Sequence, residues 1–151
     1  MANRQPLSIE ARSLVASNRR GVLATLLDND GYPYASLVDY TPLPNGDALM
    51  LLSKLAEHQK YLAADSRASL LVSPSMYDDN ALALPRVSLV GRVIRHEERE
   101  PFVDLYLSHH PEAAQYIGFP DFAFYQLQVE KARYIAGFGR MGWLTEERYK
   151  E

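Results

Sequence analysis

Apolar and polar residues alternate along several short stretches of this chain, with the period of two that is expected of half-buried β-strands. In the clearest stretch, Val87, Leu89 and Val93 alternate with Ser88, Val90 and Arg92 around Gly91. Turn-forming sequences such as Asp28-Asn29-Asp30-Gly31 lie between such stretches and favour hairpins. The pattern predicts strands at 21–27, 34–41, 48–53, 68–73, 86–96 and 122–129, the last continuing to about residue 135.

Other segments place their apolar residues at helical spacing. They predict helices that begin near Ser8 and end at Gly21, that follow Ser53 and end at Ser66, and that span Glu97 to Ser108, with Pro111 opening a short further helix. We expect the first three strands to form a meander in a mostly antiparallel sheet, which must close or pair to remove its edges. The sequence therefore predicts a mostly β fold with flanking helices, organised as a small barrel in one domain, residues 1–151.

Composition narrows the classes of function. The 151 residues are 47% hydrophobic and 23% charged, as in an ordinary globular protein, and a net charge of −3 provides no basic field for nucleic acid. The chain has no cysteine, which excludes disulfides and thiolate chemistry and makes the cytoplasm the default location. Its apolar stretches are far shorter than the about 20 residues of a membrane-spanning helix. We expect neither a nucleic-acid partner nor a membrane partner.

The four histidines do not predict a metal site. His109 and His110 are adjacent and would point about 100° apart on a helix. The sequence contains no His-x-x-x-His pair and no Gly-x-Ser-x-Gly elbow, so it identifies neither a metal centre of the usual spacing nor a hydrolase nucleophile. No catalytic residue is assigned.

The junction Leu52-Ser53-Lys54-Leu55-Ala56-Glu57-His58 is the most informative segment. It leads an apolar strand into a predicted helix, and the N–H groups of a helix N-terminus favour an anion such as a phosphate. Ser53, Lys54 and His58 could add side-chain donors to the same oxygens. The alternative is that Ser53 only caps the helix, while Lys54 and His58 are solvated surface residues.

A set of segments, in order and spread over nearly the whole chain, resembles the flavin-binding split-barrel proteins related to pyridoxamine 5′-phosphate oxidase. Within that family the chain is most similar to the branch that includes haem-utilisation proteins. The segments are Gly21-Val22-Leu23-Ala24-Thr25, Asp30-Gly31-Tyr32-Pro33-Tyr34-Ala35-Ser36, the 52–58 junction, Ser66-Arg67-Ala68-Ser69-Leu70, Pro85-Arg86-Val87-Ser88-Leu89-Val90-Gly91 and Gly137-Phe138-Gly139-Arg140.

The resemblance implies an FMN held between two barrels of a homodimer. It places seven residues at the cofactor: Ser36, Leu37 and Val38 along the flavin ring, Ser53 and Lys54 at the ribityl chain and phosphate, His58 at the phosphate, and Arg86 pointing into the cofactor groove from the start of its strand. Without the resemblance, Ser36 would be a tolerated small residue and Arg86 an exposed strand-entry arginine. Trp143, the only tryptophan, is expected to pack near the C-terminus rather than stack on a flavin.

Two departures from the oxidase limit what the resemblance implies. The B6 oxidases carry an arginine and a lysine where this chain has Ser36 and Thr41, so we expect poor turnover of pyridoxamine phosphate. The additional domain usual in haem-utilisation proteins is not found in the 151 residues. Two functions remain open: an FMN-dependent oxidoreductase of unknown substrate, or a non-catalytic module that binds flavin or haem.

Overall fold

The computed structural model describes residues 5–28, 30–74, 78–137 and 139–151. Eight strands make up one sheet: β1 (Arg20–Leu26), β2 (Pro33–Asp39), β3 (Thr41–Pro42), β4 (Ala48–Ser53), β5 (Arg67–Val72), β6 (Arg86–Arg95), β7 (Phe122–Gly137) and β8 (Arg140–Thr145). Four helices accompany them: α1 (Leu7–Ala16), α2 (Glu57–Ala64), α3 (Phe102–His109) and α4 (Glu146–Lys150). Short 3-10 turns cover Ala81–Ala83 and Pro111–Gln115. The mostly β fold with flanking helices is confirmed.

The strands are antiparallel neighbours in the order β2-β1-β5-β6-β7-β4-β3, and β8 pairs with β7. The predicted meander of the first three strands is correct only in part: β1 pairs with β2, and β4 pairs with the short strand β3, but the long partner of β4 is β7 and not β2. The reason is the burial of β4 on both faces: Ala48 to Leu52 are all buried. A strand of this kind lies in the interior of the fold, and β4 accordingly has a neighbour on each edge, β3 on one and β7 on the other.

Alternate residues of β4 belong to two cores. Ala48, Met50 and Leu52 face the barrel interior, and Leu49 and Leu51 face a second core under α3. Helix α1 also packs into the barrel interior. The hydroxyl of Tyr40, which follows β2, donates a hydrogen bond of 2.7 Å to the carbonyl of Val15 in α1. β4 therefore joins the barrel to the α3 region, which is where the candidate site forms.

The long pair β6–β7 bends at a bulge between Val90 and Gly91. A Cβ on Gly91 would lie 1.9 Å from the carbonyl oxygen of Gln128, closer than any real Cβ contact. Glycine is required here because the backbone of β7 occupies the space of a side chain. The bulge lets both strands curve around the core.

Several boundaries differ from the sequence prediction. The strand predicted at 34–41 ends at Asp39, and Thr41 starts the separate strand β3. Helix α2 begins at Glu57 rather than after Ser53, and α3 begins at Phe102 rather than Glu97. Strand β8 and helix α4 were not predicted. Within the hairpin turn 28–31, Asn29 lies outside the described residues, as does Phe138 of the C-terminal segment.

Two local features explain the C-terminal elements that the sequence pattern missed. β8 follows a turn that contains Gly137 and Gly139, both with positive φ. Helix α4 is capped by Thr145, whose hydroxyl accepts from the backbone N–H of Arg148 at 3.3 Å, and it buries Tyr149. Within the part of the chain that is described, no helix is both long and apolar enough to cross a membrane.

Candidate functional site

A cleft of about 250 Å³ lies where β2 and β4 end against α2, α3 and the 3-10 turn that follows α3. Its walls are mainly apolar and aromatic. The lining residues are Leu37, Val38, Asp39, Leu51, Leu52, Ser53, Ala56, His58, Tyr106, Tyr116 and Phe122. Four of the seven residues predicted at a cofactor, Leu37, Val38, Ser53 and His58, therefore share one cleft.

A fifth predicted residue, Ser36, joins the site through His58. Its Oγ lies 3.3 Å from His58 Nδ1, so strand β2 and helix α2 meet at this contact. The other ring nitrogen, Nε2, is buried and has no hydrogen-bond partner among the described residues. Burial lowers the pKa of His58 below its usual value, because the charged imidazolium would lose its hydration. His58 is therefore a neutral imidazole near pH 7.

Ser53 has a different role from that of a helix cap. Its hydroxyl donates to Asp121 Oδ2 at 3.1 Å and accepts from the backbone N–H of Leu55 at 3.1 Å. Helix α2 starts later and has Ala56, without a side-chain bond, at its cap position. Ser53 thus fixes the turn between β4 and α2, and this turn sets the position of His58.

Lys54 and Arg86 do not line the cleft. Lys54 is exposed, and its backbone N–H bonds to the carbonyl of Asp121 at 2.8 Å. Arg86 begins β6 and donates from Nη1 to the carbonyl of Leu82 at 3.0 Å. The alternative reading of Arg86 as a strand-entry arginine fits this contact better than a place in the cleft.

Aromatic side chains on the far wall were not singled out by the sequence. Tyr116 and Phe122 lie with ring centroids 4.9 Å apart, and Tyr106 packs behind them as part of the second core. Burial, and then the nearby carboxylates of Asp39 and Glu112, raise the pKa of the Tyr116 phenol. The only sequence signal for this wall was the helical spacing within the predicted helix 97–108, which contains Tyr106 and equally predicted plain core packing.

The cleft has no cation of its own. Among the described residues, no lysine or arginine lines it, and Asp39 lies at its edge. A larger groove of about 800 Å³ lies between α1 and α4 and contains none of the predicted site residues. There Arg12 donates to the carbonyls of Tyr149 and Pro44, so its guanidinium is already occupied.

Comparison with known proteins identifies the family to which this chain belongs. Residues 3–151 match the family described as CREG, β-barrel. The chain belongs to the CREG β-barrel family. The predicted split-barrel fold is confirmed, since a pyridoxine phosphate oxidase-family protein of Clostridium acetobutylicum shares it at 18% identity, with a TM-score of 0.72 over 95% of this chain and 97% of that protein.

Two more similar relatives have names that refer to haem. A haem-binding protein of Mycobacterium smegmatis is 35% identical, with a TM-score of 0.88 over 99% of this chain and 62% of that chain. The chloroplastic non-canonical haem oxygenase HOZ of Arabidopsis thaliana is 30% identical over 148 residues, which are 93% of this chain and 45% of the plant protein. The chain thus spans less than two thirds of the length of either relative.

Proposed function

We propose that this chain binds haem at the cleft beside His58 and serves in haem utilisation. Two relatives, at 35% and 30% identity, are named for haem, whereas the oxidase-family neighbour at 18% identity supports the fold alone. This departs from the sequence expectation, in which FMN was the first cofactor and haem the weaker alternative.

The observation that carries the proposal is the neutral His58 with an unpartnered, buried Nε2 atom. Haem iron is commonly held by a neutral imidazole nitrogen of this kind. Ser36 at Nδ1 would fix the ring orientation, since the second nitrogen of a ligating histidine usually has a hydrogen-bond partner. A bound haem would supply an iron centre able to react with oxygen.

The lining of the cleft also favours a porphyrin over a phosphate. Leu37, Val38, Tyr116 and Phe122 offer apolar and aromatic surface to a flat macrocycle. A flavin phosphate would bring about two negative charges to a cleft whose described lining has no lysine or arginine and whose one carboxylate, Asp39, is already paired with Arg20. The two haem propionates are at the rim of the macrocycle and can extend into water.

The size of the cleft supports a homodimer with the ligand between two copies. At about 250 Å³ it is smaller than the roughly 300–1,000 Å³ of sites that enclose a drug-sized ligand. We propose that the partner copy supplies the remaining walls. The outer sheet face beside the cleft would be the interface, because Leu37 there is 67% exposed.

FMN is the second candidate, favoured by the two hydroxyls of Ser36 and Ser53 near His58. These residues were predicted to meet a flavin and its ribityl chain. In that case the function is an FMN-dependent oxidoreductase, and Lys54 or the partner copy would have to neutralise the phosphate.

Parallel titrations of the purified protein with hemin and with FMN distinguish the candidates. Haem binding at a single site gives an intense Soret band that shifts on binding and saturates at one hemin per chain or per dimer. FMN binding quenches flavin fluorescence. The proposal expects saturable hemin binding that is at least about tenfold tighter than FMN binding. Tight FMN binding with only unsaturable hemin uptake would overturn it.

A further inference from the structure

A group of three potential metal ligands lies beside the cleft, at the end of β2 and at the turn between α3 and the following 3-10 turn. Asp39, His110 and Glu112 each present a ligand atom, and these atoms lie within 4.8 Å of one another. Asp39 is shared with the cleft lining. The sequence analysis predicted no metal site from the adjacent pair His109–His110. Only His110 belongs to this group, and Asp39, which is distant in sequence, is brought beside it by the fold.

The hydrogen bonds of His110 fix which of its ring nitrogens is free. The side chain is 1% exposed, and Nε2 lies 2.7 Å from the carbonyl oxygen of Tyr40. A carbonyl only accepts, so Nε2 carries the hydrogen and donates it. In the neutral ring Nδ1 is then a bare acceptor, and it has no hydrogen-bond partner among the described residues.

That bare nitrogen faces oxygen atoms that are also acceptors. His110 Nδ1 lies 3.6 Å from Glu112 Oε1, and the Asp39 carboxylate completes the group. Three lone-pair donors converging in a partly buried place repel one another unless a hydrogen-bond donor or a cation lies between them. A metal ion bound to all three groups satisfies them at once, whereas a water molecule or a proton on Nδ1 satisfies only part of the group.

The geometry points to a metal ion, and we propose that Asp39, His110 and Glu112 bind a divalent first-row transition ion such as Zn²⁺. Ligands at about 2.0–2.2 Å from a tetrahedral zinc are about 3.4 Å apart, close to the observed 3.6 Å between Nδ1 and Oε1. The bond from Nε2 to the Tyr40 carbonyl is the kind of outer contact that orients a ligating histidine. Glu112 is 52% exposed and free to rotate toward the ion.

Arg20 is the one described cation in contact with the group. Its Nε lies 2.8 Å from Asp39 Oδ1, which leaves Oδ2 of the same carboxylate for the metal. Three protein ligands leave a coordination position for water or for a ligand. The ion would make the edge of the cleft positive and would favour an anionic group of whatever molecule the cleft binds.

The test is a calorimetric titration of EDTA-treated, dialysed protein with Zn²⁺, repeated with Co²⁺, whose visible bands report the coordination geometry. We expect one ion per chain, with no competition from Mg²⁺ because an imidazole ligand disfavours that ion. Glu112→Gln and Asp39→Asn should each weaken binding at least about tenfold. Arg20→Gln should leave binding unchanged or tighter, and Glu147→Gln, an exposed glutamate of α4, should leave it unchanged.

Circular dichroism and thermal unfolding of each variant show whether it is folded. If Asp39→Asn does not fold, the exposed Glu112→Gln variant decides the matter alone. Absence of saturable 1:1 binding to the native chain would overturn the proposal. Equal Zn²⁺ affinity of the native chain and Glu112→Gln would overturn it too. Neither result bears on hemin binding, which is measured in metal-free buffer.

Discussion

At the residue scale, some side chains stabilise the fold and others determine where the site lies. Asp47 is the clearest example of a stabilising side chain. Its side chain is 1% exposed, and it accepts from the backbone N–H of Val129 at 2.9 Å and from the Gln126 amide at 2.8 Å. Lys150 lies 3.4 Å away. One carboxylate thus links the turn before β4, strand β7 and helix α4.

We expect Asp47→Ala to lower the free energy of unfolding by roughly 2–4 kcal/mol, because the buried N–H of Val129 and the half-buried amide of Gln126 lose their acceptor. Denaturant unfolding measures the loss. Asp79→Ala, which removes an exposed carboxylate, is the matched control and should change stability little. A loss below about 0.5 kcal/mol in Asp47→Ala would show that water replaces the carboxylate at no cost.

His58 gives the site a pH dependence whose sign follows from its lowered pKa. The folded chain holds the imidazole neutral, whereas the unfolded chain protonates it below a pH of about 6.5. Above that pH both states are neutral and stability is unaffected; below it the unfolded state binds more protons and the folded state loses stability.

The unfolding free energy should therefore fall as pH decreases from about 6.5 toward the lower folded pKa, and His58→Gln should remove this part of the slope. Denaturant titrations at a series of pH values measure it, with His109→Gln as the control for a histidine outside the cleft. An identical slope in the native protein and in His58→Gln would contradict the depressed pKa.

At the scale of elements, the sequence predicted where the strands lie better than it predicted which strands pair. Period-two alternation marked β6, and the apolar run 48–52 marked β4. Neither pattern states which strand lies beside which. Sequence proximity paired β4 with the strand before it, which holds only for Thr41 and Pro42 of β3, and it missed the pairing with β7. The start of α2 was misplaced because Ser53, a common capping residue, bonds instead to Asp121, which is distant in sequence.

The close approach of β6 and β7 at the Gly91 bulge can be tested by substitution. Gly91→Ala should destabilise the protein by at least about 2 kcal/mol, since the new Cβ would lie 1.9 Å from the Gln128 carbonyl oxygen. Gly118→Ala is the matched control, because nothing lies within 4 Å of a Cβ at that position. Thermal unfolding compares the two variants, and equal melting temperatures would show that β7 shifts without cost.

At the scale of the whole molecule, the family resemblance predicted more of the site residues than the pattern of apolar and polar positions did. It brought Ser36, Ser53 and His58 together from three elements, which no periodicity could do, and the structure places them at one cleft. Arg86 was assigned by the same resemblance and lies outside the cleft lining. The aromatic wall and the group around His110 depend on tertiary packing of α3 against β4, for which the sequence has no local signal.

The outer face of the sheet supplies a prediction about assembly. Strand registers align Leu37, Val22, Leu71, Ser88, Arg133 and Trp143 in one row across six strands. The row ends in two exposed apolar side chains, Leu37 at 67% and Trp143 at 57%. A stable homodimer of this kind typically buries upwards of about 2,000 Å² in total.

Sedimentation should show a dimer, and Leu37→Glu should shift it toward monomer because a buried carboxylate would face apolar surface. Ile9→Glu changes an apolar residue of α1, 50% exposed and away from this row, and should leave the dimer intact. A native protein that sediments as a monomer would contradict the interface, and so would a Leu37→Glu variant that stays dimeric.

The most direct test of the central claim is hemin titration of His58→Gln beside the native protein, followed at the Soret band. Glutamine keeps a polar side chain of similar length but offers no imidazole nitrogen to iron. With His109→Gln as control, we expect the native and control proteins to share one Soret maximum and affinity. His58→Gln should show a displaced maximum and at least about tenfold weaker binding. A His58→Gln protein that matches the native Soret maximum and affinity would contradict the account.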